Sequence, residues 1–113
     1  MTPARRETLL WVAQRASAAV LALCVLVHLA TIIYAVHGGL SAAEIFARTR
    51  GNTGLLAFYS TFALAVAIHA PIGLRAVFSE WLAWRGPSRD RVLLVFGIAL
   101  AVLGLRAAWA LCT

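Results

Sequence analysis

Charged side chains are missing from three long stretches of this chain. Ala16 to Ala43 and Gly51 to Leu74 contain no Asp, Glu, Lys or Arg, and Val92 to Leu111 is interrupted only by Arg106. Each stretch reaches the ~20 apolar residues that cross a hydrocarbon core at about 1.5 Å per residue. In lipid every backbone N–H and C=O must be paired within the segment, so such stretches are helical. The pattern predicts membrane spans over roughly 12–36, 54–77 and 91–111, in a single unit of residues 1–113 without repeats or low-complexity tracts.

Polar residues punctuate the spans. His37-Gly38-Gly39 closes the first with turn chemistry, and Ser41 followed by Glu44 has the form of a capping box opening a short surface helix. Gly51-Asn52-Thr53 leads into the second span. The segment from Trp81 to Ser88 reads as a loop with two interfacial tryptophans and a Gly86-Pro87 breaker. Pro71 removes the amide that would bond the carbonyl of Ala67, which predicts a kink in the second helix.

Composition agrees. Apolar residues make up 63% of the 113 and charged ones 12%, with mean hydropathy +0.89. A soluble domain carries about 25% charged residues, so the apolar excess has to face lipid. The net charge of +6 comes from arginines that flank the spans and do not gather on one soluble face, so no nucleic-acid partner is expected. Arg5, Arg6, Arg15, Arg75, Arg85, Arg89 and Arg91 fall on one side of the predicted topology, and only Arg48 and Arg50 on the other. Positive residues concentrate on the cytoplasmic side, which predicts N-terminus in and C-terminus out across a bacterial-type inner membrane. The first apolar stretch is longer than the 7–15 residues of a cleaved signal. Cys24 and Cys112 have no CxxC spacing and read as small packing residues.

Candidate chemistry lies in the polar residues placed within lipid, which are expensive there and usually functional. They are Arg15, Ser17, Cys24, His28 and Thr31 on the first helix, His69 on the second and Arg106 on the third. No span contains Asp or Glu, which argues against a proton-coupled small multidrug transporter. At helical spacing, Gln14, Ser17, Leu21, Cys24, His28 and Thr31 form a narrow polar stripe. His69 shares its face with Phe58, Phe62, Ala65 and Val66 on one side and Gly73 and Ala76 on the other. Small residues beside the histidine leave room for a flat apolar ligand such as haem, whose commonest axial donor is neutral imidazole. The competing reading is a histidine that hydrogen-bonds a neighbouring helix. Counted from the outer span ends, His28 and His69 differ in depth by roughly 10 Å at 1.5 Å per residue, so they would not share one haem. A stripe of Gly97, Ala101, Gly104 and Ala108 on the third span predicts close contact with another helix, expected from a second anchor subunit. Arg106 is expected to snorkel to the outer interface.

Two motifs resemble a known family. Gln14-Arg15-Ala16-Ser17 opens the first span, and His69-Ala70-Pro71-Ile72-Gly73-Leu74-Arg75, with Glu80 five positions on, closes the second. They are similar to motifs of the cytochrome b membrane-anchor subunits of succinate dehydrogenase and fumarate reductase, and the likeness extends over nearly the whole chain. The resemblance implies an all-α integral membrane three-helix bundle, forming half of a larger bundle with a second three-helix anchor. It implies His69 as an axial ligand of haem b, and Arg15 near the quinone and haem propionates with Ser17 beside it. Gln14 stands where single-haem members often carry His, Trp11 where some members have a serine contacting quinone, and Ala18 where glycine is usual. The spacing of His28 from Arg15 is similar to two-haem members, which implies His28 as ligand of a second haem. Arg75 and Glu80 would lie at the face where the iron–sulfur subunit docks, with succinate oxidised in a separate flavoprotein subunit. The chain would then perform no dicarboxylate chemistry. The alternatives are a haem-free structural anchor, or a cytochrome b subunit of another membrane oxidoreductase.

Overall fold

The computed structural model describes all 113 residues, Met1–Thr113. Four helices follow one another: α1 (Pro3–His37), α2 (Ala42–Thr49), α3 (Thr53–Trp81) and α4 (Pro87–Cys112). The three long ones are long and apolar enough to cross a membrane, as the charge-free stretches predict. Each runs past the apolar segment read from sequence. Helix α1 starts at Pro3 because Thr2 caps it, its hydroxyl accepting from the Arg5 amide at 3.2 Å, with proline at the first turn. Trp81 closes α3, and Pro87 and Ser88 already belong to α4, so the connecting loop shortens to Leu82–Gly86. A hydrocarbon core is ~30 Å thick, so the 35 residues of α1 extend well beyond it.

Helix α3 is the centre of the bundle, with α1 and α4 packed against it. The seam with α4 is made by missing side chains. A Cβ added at Gly104 would fall 2.6 Å from the Cβ of Ala63, and one at Gly97 would fall 3.0 Å from the Pro71 ring and 3.1 Å from the Ala67 carbonyl. Pro71, which leaves that carbonyl without its usual helical donor, therefore nests against the glycine of the next helix. This corrects the expected use of the small-residue stripe. Gly97 and Gly104 seat α3 of the same chain, and Ala108 is buried in the bundle, so these residues are not free to receive a second subunit.

Helix α2 lies across the end of α4. Ser41 caps it, accepting from the Glu44 amide at 3.2 Å. The Thr49 hydroxyl donates to the Leu111 carbonyl and the Gly51 amide to the Cys112 carbonyl, both at 2.8 Å. The final turn of a helix has carbonyls without intrahelical donors, and the end of α2 supplies donors for two of them. Gly51 reaches this position with φ +73°, a backbone conformation that favours glycine.

Little is sealed inside. Eight of 113 residues are buried, whereas Leu23, Leu26, Leu94, Leu103 and Trp109 lie exposed around the helices. In water such a surface would aggregate; it is suited to lipid or to further helices.

Candidate functional site

The two intramembrane histidines sit on the α1–α3 seam at different levels. His69 is half-buried on α3, and its Nδ1 lies 3.3 Å from the Ser17 hydroxyl oxygen on α1. The same oxygen is 3.1 Å from the backbone carbonyl of Gln14. His28 is half-buried on α1, with Nδ1 3.1 Å from the hydroxyl of Tyr59 on α3. Its ring meets Tyr59 and Phe62 edge-on, with centroids 5.6 and 5.7 Å away. Both histidines thus bond the neighbouring helix through Nδ1, while Nε2 makes no hydrogen bond within the chain and is not sealed from its surface.

These contacts set the depths. Ser17 and His28 are eleven positions apart along α1, and Tyr59 and His69 ten apart along α3, about 15 Å at 1.5 Å per residue. The separation exceeds the 10 Å expected from span ends, because α1 and α3 meet in a register that apolar run lengths do not reveal. No single iron can take both imidazoles.

Space lies along the seam, one cavity beside Ser17 and another lined by His28. A cavity of about 330 Å³ between α1 and α3 is lined by Ser17, Val20, Thr61, Ala65 and Ile68 among others. One of about 230 Å³ is lined by His28, Tyr59, Phe62, Ala63 and Gly104 among others. A larger cleft of about 460 Å³ runs between α1, α3 and α4, its walls apolar and its mouth formed by Arg6, Arg75 and Asp90.

The residues expected at a quinone or propionate site divide into two groups. Gln14 and Ser17 face α3: the Gln14 amide nitrogen lies 3.3 Å from where a Cβ on Gly73 would stand, and its Oε1 is buried without a partner. Trp11 and Arg15 lie exposed on another face of α1, the guanidinium 5.3 Å from the centre of the indole. Gln14, Ser17 and His69 therefore come together, while Trp11 and Arg15 form a separate outward pair.

Arg75 and Glu80, expected to face a soluble subunit, also differ. Glu80 is exposed, with no side-chain hydrogen bond within the chain. Arg75 holds Glu7 through two hydrogen bonds of 2.8 and 3.3 Å and approaches Asp90 at 3.8 Å. It belongs to a polar network at the N-terminal face that sequence reasoning missed. Arg6 pairs with Asp90 at 2.8 Å, and the buried Arg89 bonds both Asp90 and the Ser79 hydroxyl. The network ties the beginnings of α1 and α4 to the end of α3.

Both acids of the network lie ahead of the apolar segments. The hydrogen bond from Arg75, reinforced by its charge, holds the Glu7 carboxyl below its usual range. Burial pushes Asp90 up, but hydrogen bonds from Arg89 and Arg6 outweigh it, and the carboxyl is held low. A depressed folded value adds stability above the unfolded value of about 4, and that stability is lost as pH falls through the folded value. The assembled protein is therefore expected to lose thermal stability on acidification below pH ~4, and Asp90→Asn to lose less over the same range. Equal acid sensitivity of the two in detergent melting curves would remove Asp90 from that role.

The family described as the succinate dehydrogenase/fumarate reductase transmembrane subunit matches residues 2–106. The chain belongs to this family. The match takes in α1, α2 and α3, and α4 as far as Arg106, so both histidines, the Ser17 contact and the N-terminal network lie inside it. It places the transmembrane subunit in a succinate dehydrogenase/fumarate reductase complex rather than with another membrane oxidoreductase. No curated protein and no solved structure gives a match.

Proposed function

We propose that this transmembrane subunit binds haem b through His69 and serves electron transfer between the iron–sulfur subunit and membrane quinone. The observation that carries the reading is His69 itself. It stands within the apolar part of α3, its Nδ1 is engaged by Ser17, and its Nε2 is unpartnered and reaches the surface of the bundle. A ligand shared with a second anchor subunit needs an imidazole presented in that way.

The donor chemistry fits the group, since a neutral imidazole nitrogen is the commonest axial donor of haem iron. Bound between His69 and a histidine of the second anchor, haem b would supply a one-electron carrier within the membrane. The chain's own residues would do the rest. Arg15, set against Trp11 near the end of the apolar segment, offers a guanidinium to a propionate or a quinone carbonyl. Gln14 and Ser17 line the inward side of the same turn, and the partnerless Gln14 Oε1 is an acceptor awaiting a donor. Glu80 remains available to the iron–sulfur subunit, whereas Arg75 contributes by bracing the N-terminal face. The arginine asymmetry supports a cytoplasmic position for that face, where the flavoprotein subunit would lie beyond the iron–sulfur subunit.

His28, about 15 Å away, has the same unpartnered Nε2 and serves a second haem. Haem counting on the purified complex tests this. Reduced-minus-oxidised spectra are expected to show b-type bands from two haems per complex, and His28→Ala to remove one. An unchanged haem count in His28→Ala leaves His28 as a packing residue bonded to Tyr59. The absence of b-type bands from the wild-type complex would instead leave a haem-free anchor.

A further inference from the structure

The contact between Ser17 and His69 carries information about a proton. A serine hydroxyl has one proton to donate and two lone pairs. The Ser17 oxygen lies 3.1 Å from the carbonyl oxygen of Gln14, which can only accept, and two oxygens that close without a proton between them repel. The hydroxyl proton is therefore directed to Gln14. Toward His69, 3.3 Å away, Ser17 has only lone pairs left to offer. That approach is a hydrogen bond only when Nδ1 carries a proton and donates it. A neutral imidazole has one N–H, so the lone pair is on Nε2, the nitrogen without a partner in the chain.

We propose that Ser17 is a positioning residue for His69, holding its ring in the Nδ1–H tautomer with the Nε2 lone pair turned outward for haem iron. The inference rests on the haem reading above and assigns Ser17 a task other than quinone or propionate contact. The surroundings favour it. Ser17 is buried, with 6% of its surface exposed, so water does not compete for the Nδ1 proton. The chain Gln14 carbonyl, Ser17 hydroxyl, His69 imidazole runs from the backbone of α1 to the open edge of α3, so the ring orientation is set by main chain. His28 lacks such a device. The Tyr59 hydroxyl can donate or accept, and the structure provides no second bond that settles which.

A ligating imidazole that donates its other N–H is a stronger donor to the metal, and it stabilises the oxidised iron. Removing the acceptor is therefore expected to raise the reduction potential of the haem held by His69. The test uses the complete purified complex carrying Ser17→Ala or Ser17→Thr. Ser17→Ala is expected to shift the midpoint potential of one haem upward and to move its low-spin electron paramagnetic resonance signal. Ser17→Thr, which keeps the hydroxyl, is expected to restore both. A Ser17→Ala complex with full haem, unchanged potential and unchanged signal overturns the role of Ser17 and leaves the haem assignment intact. A wild-type complex without b-type bands overturns the haem reading and this inference with it. Should Ser17→Ala fail to assemble, the wild type still decides. In the complex labelled with ¹⁵N-histidine, with its low-spin haem reduced and so diamagnetic, the ring proton of His69 is expected on Nδ1 and bonded to Ser17. An Nδ1 proton with no coupling to Ser17, or an Nδ1-ligated iron, overturns the proposal.

Discussion

Replacing His69 by alanine is expected to remove one full equivalent of haem b from the complex while the transmembrane subunit remains inserted and assembled. The expectation separates ligation from folding for physical reasons. Alanine is the best helix former, so α3 loses nothing locally at this position. The ring is half-buried and makes one hydrogen bond within the chain, to Ser17. Losing such a bond in a membrane bundle costs roughly 0.6–2 kcal/mol, too little to dissolve a helix seated by α4 along its length. A haem held by His69 would, in contrast, lose its imidazole donor, and the other intramembrane histidine, His28, stands about 15 Å away along the seam. Haem per complex, measured with subunit stoichiometry on the same sample, checks it. Retention of all the haem in His69→Ala would sink the assignment. Loss of haem together with loss of the subunit would be resolved by His69→Gln, which keeps a hydrogen-bond donor for Ser17 but offers no imidazole, and is expected to assemble without that haem.

Much of this architecture was legible in the pattern of apolar positions, because lipid imposes a strict rule on it. A charge-free run of ~20 residues has to be a helix, and Gly and Pro mark where the runs end. Ser41 could be read as a cap from its spacing to Glu44, and His69 as a candidate site from the rarity of imidazole in lipid. What could not be read was register. Arg6 and Asp90 are 84 positions apart, and Arg75 and Glu7 are 68 apart, so nothing local marks them as pairs. Arg6 was visible only as a topology signal, and Arg75 as that and as the end of a motif. The split between Gln14 and Ser17 on one face and Trp11 and Arg15 on another follows from helical angle, yet which face meets α3 is a tertiary fact. The small-residue stripe illustrates the same limit. Its spacing correctly announced a close helix contact and left the identity of the neighbour open, and the neighbour is α3 of the same chain.

That seam supplies the second large effect. Gly104→Ala is expected to destabilise the bundle, although Gly→Ala within a helix ordinarily stabilises by up to ~1 kcal/mol. The added methyl would lie 2.6 Å from the Cβ of Ala63 and 3.4 Å from its Cα. Neither atom is the end of a flexible side chain, so α3 and α4 have to separate, and overpacking of this kind costs about 1–3 kcal/mol. Separation would propagate, because Gly97 holds the Pro71 ring and the Ala67 carbonyl by the same close approach two turns away. Gly104→Leu is expected to go further and block assembly, since no rotamer avoids Ala63. The decisive variant is the pair Gly104→Ala with Ala63→Gly, which moves the methyl from one helix to the other and is expected to recover most of the lost melting temperature. Because Ala63 and Gly104 also line the cavity beside His28, the single variant is expected to disturb that site before the one at His69. A Gly104→Ala complex as stable as the wild type would mean that α3 and α4 adjust freely at this point, and the seam would not be what sets their distance.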